Sequence, residues 1–121
     1  MLLLSITLAG CEFETSGNGD LDGFWQLMQL DSVATGTTRD MRHSGLCWAV
    51  QMRLLYVQDG SVPKRYYRFT LGGGRLKLRP ANLDEQGRED QTVLWDYRVL
   101  QLNGSRMVLE DDTLRLTFRK Y

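Results

Sequence analysis

Histidine and cysteine are almost missing from this chain. His43, Cys11 and Cys47 are the full set. Zinc sites are built from clusters of these residues at short, regular spacings, so no zinc site can be recognised. Two cysteines permit one disulfide by arithmetic alone. An excess of either charge is also missing, with 15 Lys plus Arg against 15 Asp plus Glu. A nucleic-acid binder needs a basic surplus to neutralise phosphates, and so does a polybasic membrane patch. No apolar run reaches the roughly 20 residues that span a bilayer as a helix. No amphipathic pattern of three helical turns is evident, and Gly72-Gly73-Gly74 lacks the Lys-Ser/Thr and the helix of a phosphate loop. Neither a cofactor nor a metal is expected.

Catalytic groupings are equally scarce. His43 could act as a general base, but no Ser or Cys can be placed beside it with an orienting third group. The acids Glu110, Asp111 and Asp112 fit a hairpin turn, where Asp is favoured, better than a carboxylate pair for catalysis. The expectation is a protein that is not an enzyme.

What is present begins with an address. Residues 1–10 are apolar or small and uncharged, about the length of a signal-peptide core. They end in Leu8-Ala9-Gly10-Cys11, which resembles the lipobox of bacterial lipoproteins. The resemblance implies that Cys11 carries the lipid and becomes the first residue of the mature protein. Two or three acyl chains suffice for stable anchoring. No cation precedes the apolar run, which departs from a signal peptide's positive start and fits a start upstream of Met1. The alternative is a buried N-terminal strand. Glu12 to Asp22 is polar and Gly/Ser/Asn-bearing, as a tether would be. Glu12 and Glu14 resemble the acidic export signals of surface lipoproteins in Bacteroidetes, with the face of the membrane left open. The organisation expected is a signal peptide over 1–10, a tether over 11–22 and one domain over 23–121. With Cys11 lipidated, Cys47 has no partner and reads as a buried small hydrophobe.

From Gly23 onward the sequence reads as strands and turns. Trp25 and Leu27 share one face of the first. Residues 32–40 read as a loop that can hold a short edge strand. Residues 47–58 read as one long strand with Trp48, Val50, Met52, Leu54 and Tyr56 on a single face, the period of two expected of a half-buried strand. Asp59-Gly60-Ser61 signals a turn, and Pro63 limits pairing. Residues 64–71 put Tyr67, Phe69 and Leu71 inward. Leu76 and Leu78 alternate with cations, and Pro80 stops that strand. Residues 81–92 read as a loop with room for one helical turn near Asn82–Glu85. Residues 93–102 are a strand of open phase, Asn103-Gly104 is a hairpin signal, and residues 105–110 pair back. In the last strand Leu114, Leu116 and Phe118 face in. Seven or eight short strands with hairpin-length turns predict an all-β, antiparallel up-and-down barrel.

Gly23-Phe24-Trp25, on the first strand after a polar leader, resembles the Gly-x-Trp signature of lipocalins and the wider calycin group. The resemblance implies that Trp25 closes one end of a lipocalin-like barrel beneath a cation from the last strand. Arg119 is the residue placed to supply it. The chain as a whole is similar to lipocalin-like lipoproteins of unknown function from Bacteroides and relatives. Gly23 to Leu27, Arg106 to Glu110, and Leu114 to Lys120 carry that likeness. It implies a fold and a location in the bacterial cell envelope, lipid-anchored to the outer membrane, and no activity.

Two functions follow. A barrel of about eight strands can hold one small ligand. Trp48, Met52, Tyr56, Tyr67 and Phe69 are the residues expected to line an apolar site with polar tips. The alternative is a filled barrel that binds a protein partner or serves as a subunit of an envelope complex. The mixed loop Arg39 to His43 is one candidate surface for that role.

Overall fold

Nine strands appear in the computed structural model, which describes residues 18–59 and 65–121. They are β1 (Gly23–Ser32), β2 (Thr38–Asp40), β3 (Cys47–Gln51), β4 (Leu54–Gln58), β5 (Arg65–Gly72), β6 (Arg75–Pro80), β7 (Trp95–Leu102), β8 (Arg106–Glu110) and β9 (Leu114–Lys120). From β3 to β9 each strand pairs antiparallel with the next, and β9 returns to pair along β1. β1 serves two neighbours on its other edge. Gly23–Gln26 pair with β3, and Gln29–Asp31 pair with β2. With β2 outside the ring, the other eight of the nine strands form a closed antiparallel barrel, and among the described residues only the three-residue β2 keeps an unpaired edge.

The alternation read from the sequence fills this barrel. Leu76 and Leu78 of β6, Met107 and Leu109 of β8, and Leu116 and Phe118 of β9 are all buried in one core with Trp25, Leu27, Trp48, Val50, Leu55 and Tyr97. Two bulges keep it in phase. Between Leu27 and Gln29 the β1–β9 register shifts by one residue, so that Leu27 opposite Phe118 and Leu30 opposite Leu116 both turn inward. A second shift between Val99 and Gln101 pushes Leu100 outward and returns Leu102 to the core.

The turns carry their own chemistry. Gly73 and Gly74 both hold positive φ, 60° and 74°, which a two-residue hairpin turn requires and a side chain would oppose. Asn103 Oδ1 accepts from the backbone N–H of Ser105 and Arg106, and Asp111 Oδ1 from those of Thr113 and Leu114. These short polar side chains fix the β7–β8 and β8–β9 reversals.

Three expectations are corrected. Residues 47–58 are two strands, β3 and β4, joined through Met52 and Arg53, with Met52 at φ 57°. The reversal changes the face, so Leu55 and not Leu54 is buried after the turn. No helical turn forms near Asn82–Glu85. Asp84 Oδ1 instead accepts from the N–H of Gln86 and Arg88, folding the loop into a hairpin bridged at Leu83 and Glu89. Cys47 is half-buried rather than core, with its Sγ 3.3 Å from the Tyr121 hydroxyl. The turn expected at Gly60-Ser61, the position of Pro63, and Cys11 with its lipobox lie outside the described residues.

Candidate functional site

One end of the barrel is plugged. The short 3-10 helix Gly19–Leu21 crosses it and drops Leu21 into the core, fully buried. Trp25 is also fully buried, and its indole Nε1 donates to the Leu21 carbonyl at 2.7 Å, so the ring's one polar atom is satisfied. Lys120 lies over the indole face, its Nζ 4.8 Å from the ring centroid, and donates to the Asp20 carbonyl at 2.7 Å. A cation over an indole contributes about 0.5–2 kcal/mol, depending on desolvation. This corrects the expectation for Arg119. In the β1–β9 register Lys120 stands opposite Trp25 and Arg119 opposite Gln26, so the one-residue difference puts Arg119 on the outer face. Gly23, at φ 126°, has its reason here too. A Cβ at this position would come within 3.3 Å of the Lys120 side chain. Residues assigned to the tether, Gly19 to Leu21, thus form part of the barrel's plug.

The other end is hollow. A cavity of about 250 Å³ opens there, with walls from Leu27 and Leu30 of β1, Trp48 of β3, Val57 of β4, Leu78 of β6 and Leu116 of β9. The segment between β2 and β3 adds Met41 and Leu46. Arg65, Tyr67, Trp95 and Tyr97 supply the polar groups. Its floor is the aromatic stack of the core, where Trp48 tilts against Phe118 at 4.6 Å between ring centroids and against Tyr97 at 6.2 Å. Nearer the opening, Tyr67 and Trp95 meet edge to face at 5.3 Å, with Trp95 39% exposed. Burial pushes the Tyr97 hydroxyl up to about 12, with the Asp111 carboxylate and Tyr67 adding to the effect, so it remains a neutral donor at physiological pH.

Of the five residues expected to line a ligand site, the structure brings Trp48 and Tyr67 together on the cavity. Phe69 packs against the core and borders a separate recess of about 310 Å³ beside Arg53, Arg68 and Arg79. Met52 and Tyr56 are corrections. Met52 is 61% exposed in the β3–β4 turn, and Tyr56 stands on the outer face, edge to face with Tyr66 at 4.9 Å. Both follow from the reversal at Met52–Arg53, which inverts the inward set of β4. Missed by the sequence reading were Arg65, Trp95, Tyr97, Met41 and Leu46. The inward alternation Arg65-Tyr67-Phe69 was a signal for the first, and the open phase of residues 93–102 concealed Trp95 and Tyr97.

Several charged groups elsewhere pair with one another. Glu110 binds Arg98 and Arg115, which hold its carboxyl below the usual range. Glu89 lies between Arg68 and Arg79, at 3.4 and 3.7 Å. The Arg42 guanidinium holds the exposed Asp40 carboxyl down to about 2. His43 is exposed on the same loop.

A closed eight-stranded barrel, plugged under a Gly-x-Trp strand and hollow at the opposite end, defines a lipocalin-like architecture. The model of the lipocalin-like domain family matches residues 6–121, and the chain belongs to that family. It is similar in fold to a lipocalin-like protein from Bacteroides uniformis, with a TM-score of 0.65 and 23% identity over 85% of this chain and 100% of that one. An uncharacterized protein from Bacteroides eggerthii aligns with a TM-score of 0.61 and 16% identity, over 83% of this chain and 98% of that one. No curated protein matches the chain.

Proposed function

We propose that this protein is an exported, lipid-anchored carrier that holds one small, largely apolar molecule in the open end of its barrel. The observation that carries the reading is the cavity of about 250 Å³, walled by aliphatic and aromatic side chains with a few polar tips. That composition is typical of small-molecule sites, and the volume falls just below the roughly 300–1,000 Å³ range of drug-sized pockets, so the ligand is small. A barrel serving only as an interaction surface has no need of such a hollow, since its stability would rise if the space were filled. Anchoring is supported by Leu8-Ala9-Gly10-Cys11 and the polar segment after it.

Native mass spectrometry after exposure to a cell extract tests the carrier reading. A stoichiometric adduct is expected on the wild type and not on Leu46→Trp, which fills the cavity from its loop wall. A bare mass at every extract concentration overturns it and favours a protein partner. Incorporation of labelled palmitate tests the anchor. Label is expected on the wild type and lost in Cys11→Ser, and an unlabelled wild type overturns lipidation.

A further inference from the structure

We infer that a second site, on the outer flank of the barrel, takes the phosphate of a membrane phospholipid. The inference goes beyond the carrier reading and rests on its lipid anchor for the choice of ligand. The site is the recess of about 310 Å³ that borders Phe69. Arg53 lines it from the β3–β4 turn, exposed and with no ion pair among the described residues. Arg68 of β5 and Arg79 of β6 stand directly opposite each other across the strand pair, with side chains only 25% and 16% exposed. Like charges in direct register destabilise a strand pair, and partial burial adds to the penalty. An arrangement that opposes folding in this way calls for an anion to offset it.

The described residues supply only part of that anion. Glu89 is their one carboxylate on the recess, and a single oxygen of it serves both arginines, at 3.4 and 3.7 Å. Glu110, by contrast, sits 2.7 Å from Arg115, the length of a charge-assisted bond. The Nε of Arg68 and that of Arg79 are buried with no hydrogen-bond partner among the described residues, and Arg79 Nη1 finds only the neutral Gln91 Oε1 at 3.2 Å. Three guanidiniums against one carboxylate make the recess net positive in a chain whose total charge is balanced. Arginine's planar fork of donors matches the several acceptor oxygens of a phosphate. The place of the recess selects a lipid among phosphates. Asn18 lines it and donates to the Met52 carbonyl at 2.6 Å, and Asn18 is the seventh residue after Cys11. Seven residues reach about 25 Å at most, so acyl chains on Cys11 hold the recess near the head groups at a high effective concentration. Met52 and Leu71, 61% and 36% exposed, form an apolar rim beside the cations, the combination that suits a membrane interface. Free phosphate has nothing apolar to place against that rim.

Titration of the full chain with dihexanoylphosphatidylglycerol, dihexanoylglycerol and inorganic phosphate tests this, followed by calorimetry and by the arginine Nε–H signals in nuclear magnetic resonance. The phospholipid is expected to bind at least about tenfold tighter than either of the others, the effect of a charge-assisted hydrogen bond, and to move the signals of Arg68 and Arg79. Arg53→Gln and Arg68→Gln should each weaken it about tenfold, with Arg68→Lys keeping part of the affinity. Leu46→Trp, which fills the mouth of the barrel, should leave it unchanged. Inorganic phosphate binding as tightly as the phospholipid overturns the lipid as occupant. Dihexanoylglycerol binding as tightly, unmoved arginine signals, or binding lost in Leu46→Trp overturns the recess as a phosphate site. Thermal unfolding of Arg53→Gln, expected unchanged for this exposed side chain, separates lost recognition from lost fold. The probes are soluble, so failure here leaves the anchor standing, and an unlabelled wild type in the palmitate experiment removes the anchor while phosphate recognition is still decided by this titration.

Discussion

The two ends of this barrel are built from the same kinds of residue and differ in whether the space between them is filled. At the plugged end Trp25 is fully buried, its N–H is bonded and a lysine covers its face. At the hollow end Trp95 is partly exposed, stacks on one tyrosine and borders empty volume. An indole therefore does structural work at one end and forms a wall at the other. The indole at the plugged end is fully packed and bonded, and the open end leaves the volume that the proposed ligand would occupy.

The largest test of that contrast is Trp25→Ala. Removing a fully buried indole from the plug should cost about 3–5 kcal/mol, read from denaturant unfolding. A loss under about 1 kcal/mol would show that this end is not the keystone. Lys120→Met comes next, losing the cation above the indole and the bond to Asp20, for about 1–2 kcal/mol, while Arg119→Gln should stay within about 0.5 kcal/mol. Equal effects of the two would break the register assignment. Trp95→Ala should cost only about 1 kcal/mol, mostly its edge-to-face contact with Tyr67, yet weaken binding at the mouth. A loss matching that of Trp25→Ala would erase the distinction between the ends. The smallest effect is in alkali. The folded state holds Tyr97 protonated up to about 12, whereas unfolded tyrosine ionises near its ordinary value of 10. Between these values the native state binds more protons than the unfolded one, so stability falls as pH rises through that window. Tyrosinate absorbance should lose a late-titrating group in Tyr97→Phe, while Tyr121, raised by its hydrogen bond to Cys47, keeps its own shift.

Much of the fold was legible because it follows from period-two alternation. The last strand, with Leu114, Leu116 and Phe118 inward, and the strand of Leu76 and Leu78 read directly, as did the reversal at Asn103-Gly104. Gly23-Phe24-Trp25 lies on the strand that packs under the short helix, with Trp25 bonded to Leu21. The same alternation that turns Phe118 inward turns Lys120 inward too, so the correct cation was available from the pattern without any coordinates. The turn at Met52–Arg53 was not legible. It contains no Gly, Asn, Asp or Pro, and Met52 takes its positive φ because tertiary pairing of β3 with β4 demands it. That silent reversal inverted the inward set of β4 and removed Met52 and Tyr56 from the cavity. The bulge at Val99–Gln101 similarly hid the phase of Trp95 and Tyr97. Met41 and Leu46 belong to a connecting segment, where periodicity carries no information.

The divided pairing of β1 has a kinetic side. Where β1 passes from β3 to β2, the wall is completed by the segment between β2 and β3. It hangs on backbone bonds from Leu27 N–H to the Leu46 carbonyl and from Met41 N–H to the Met28 carbonyl, with Gln26 Nε2 reaching the Arg42 carbonyl. Both cavity residues of this segment, Met41 and Leu46, move if those few bonds open, and local openings of this kind require far less free energy than unfolding the ring of strands. On the carrier reading, the side chains of the hollow would decide what is held, and openings of this short span would decide for how long.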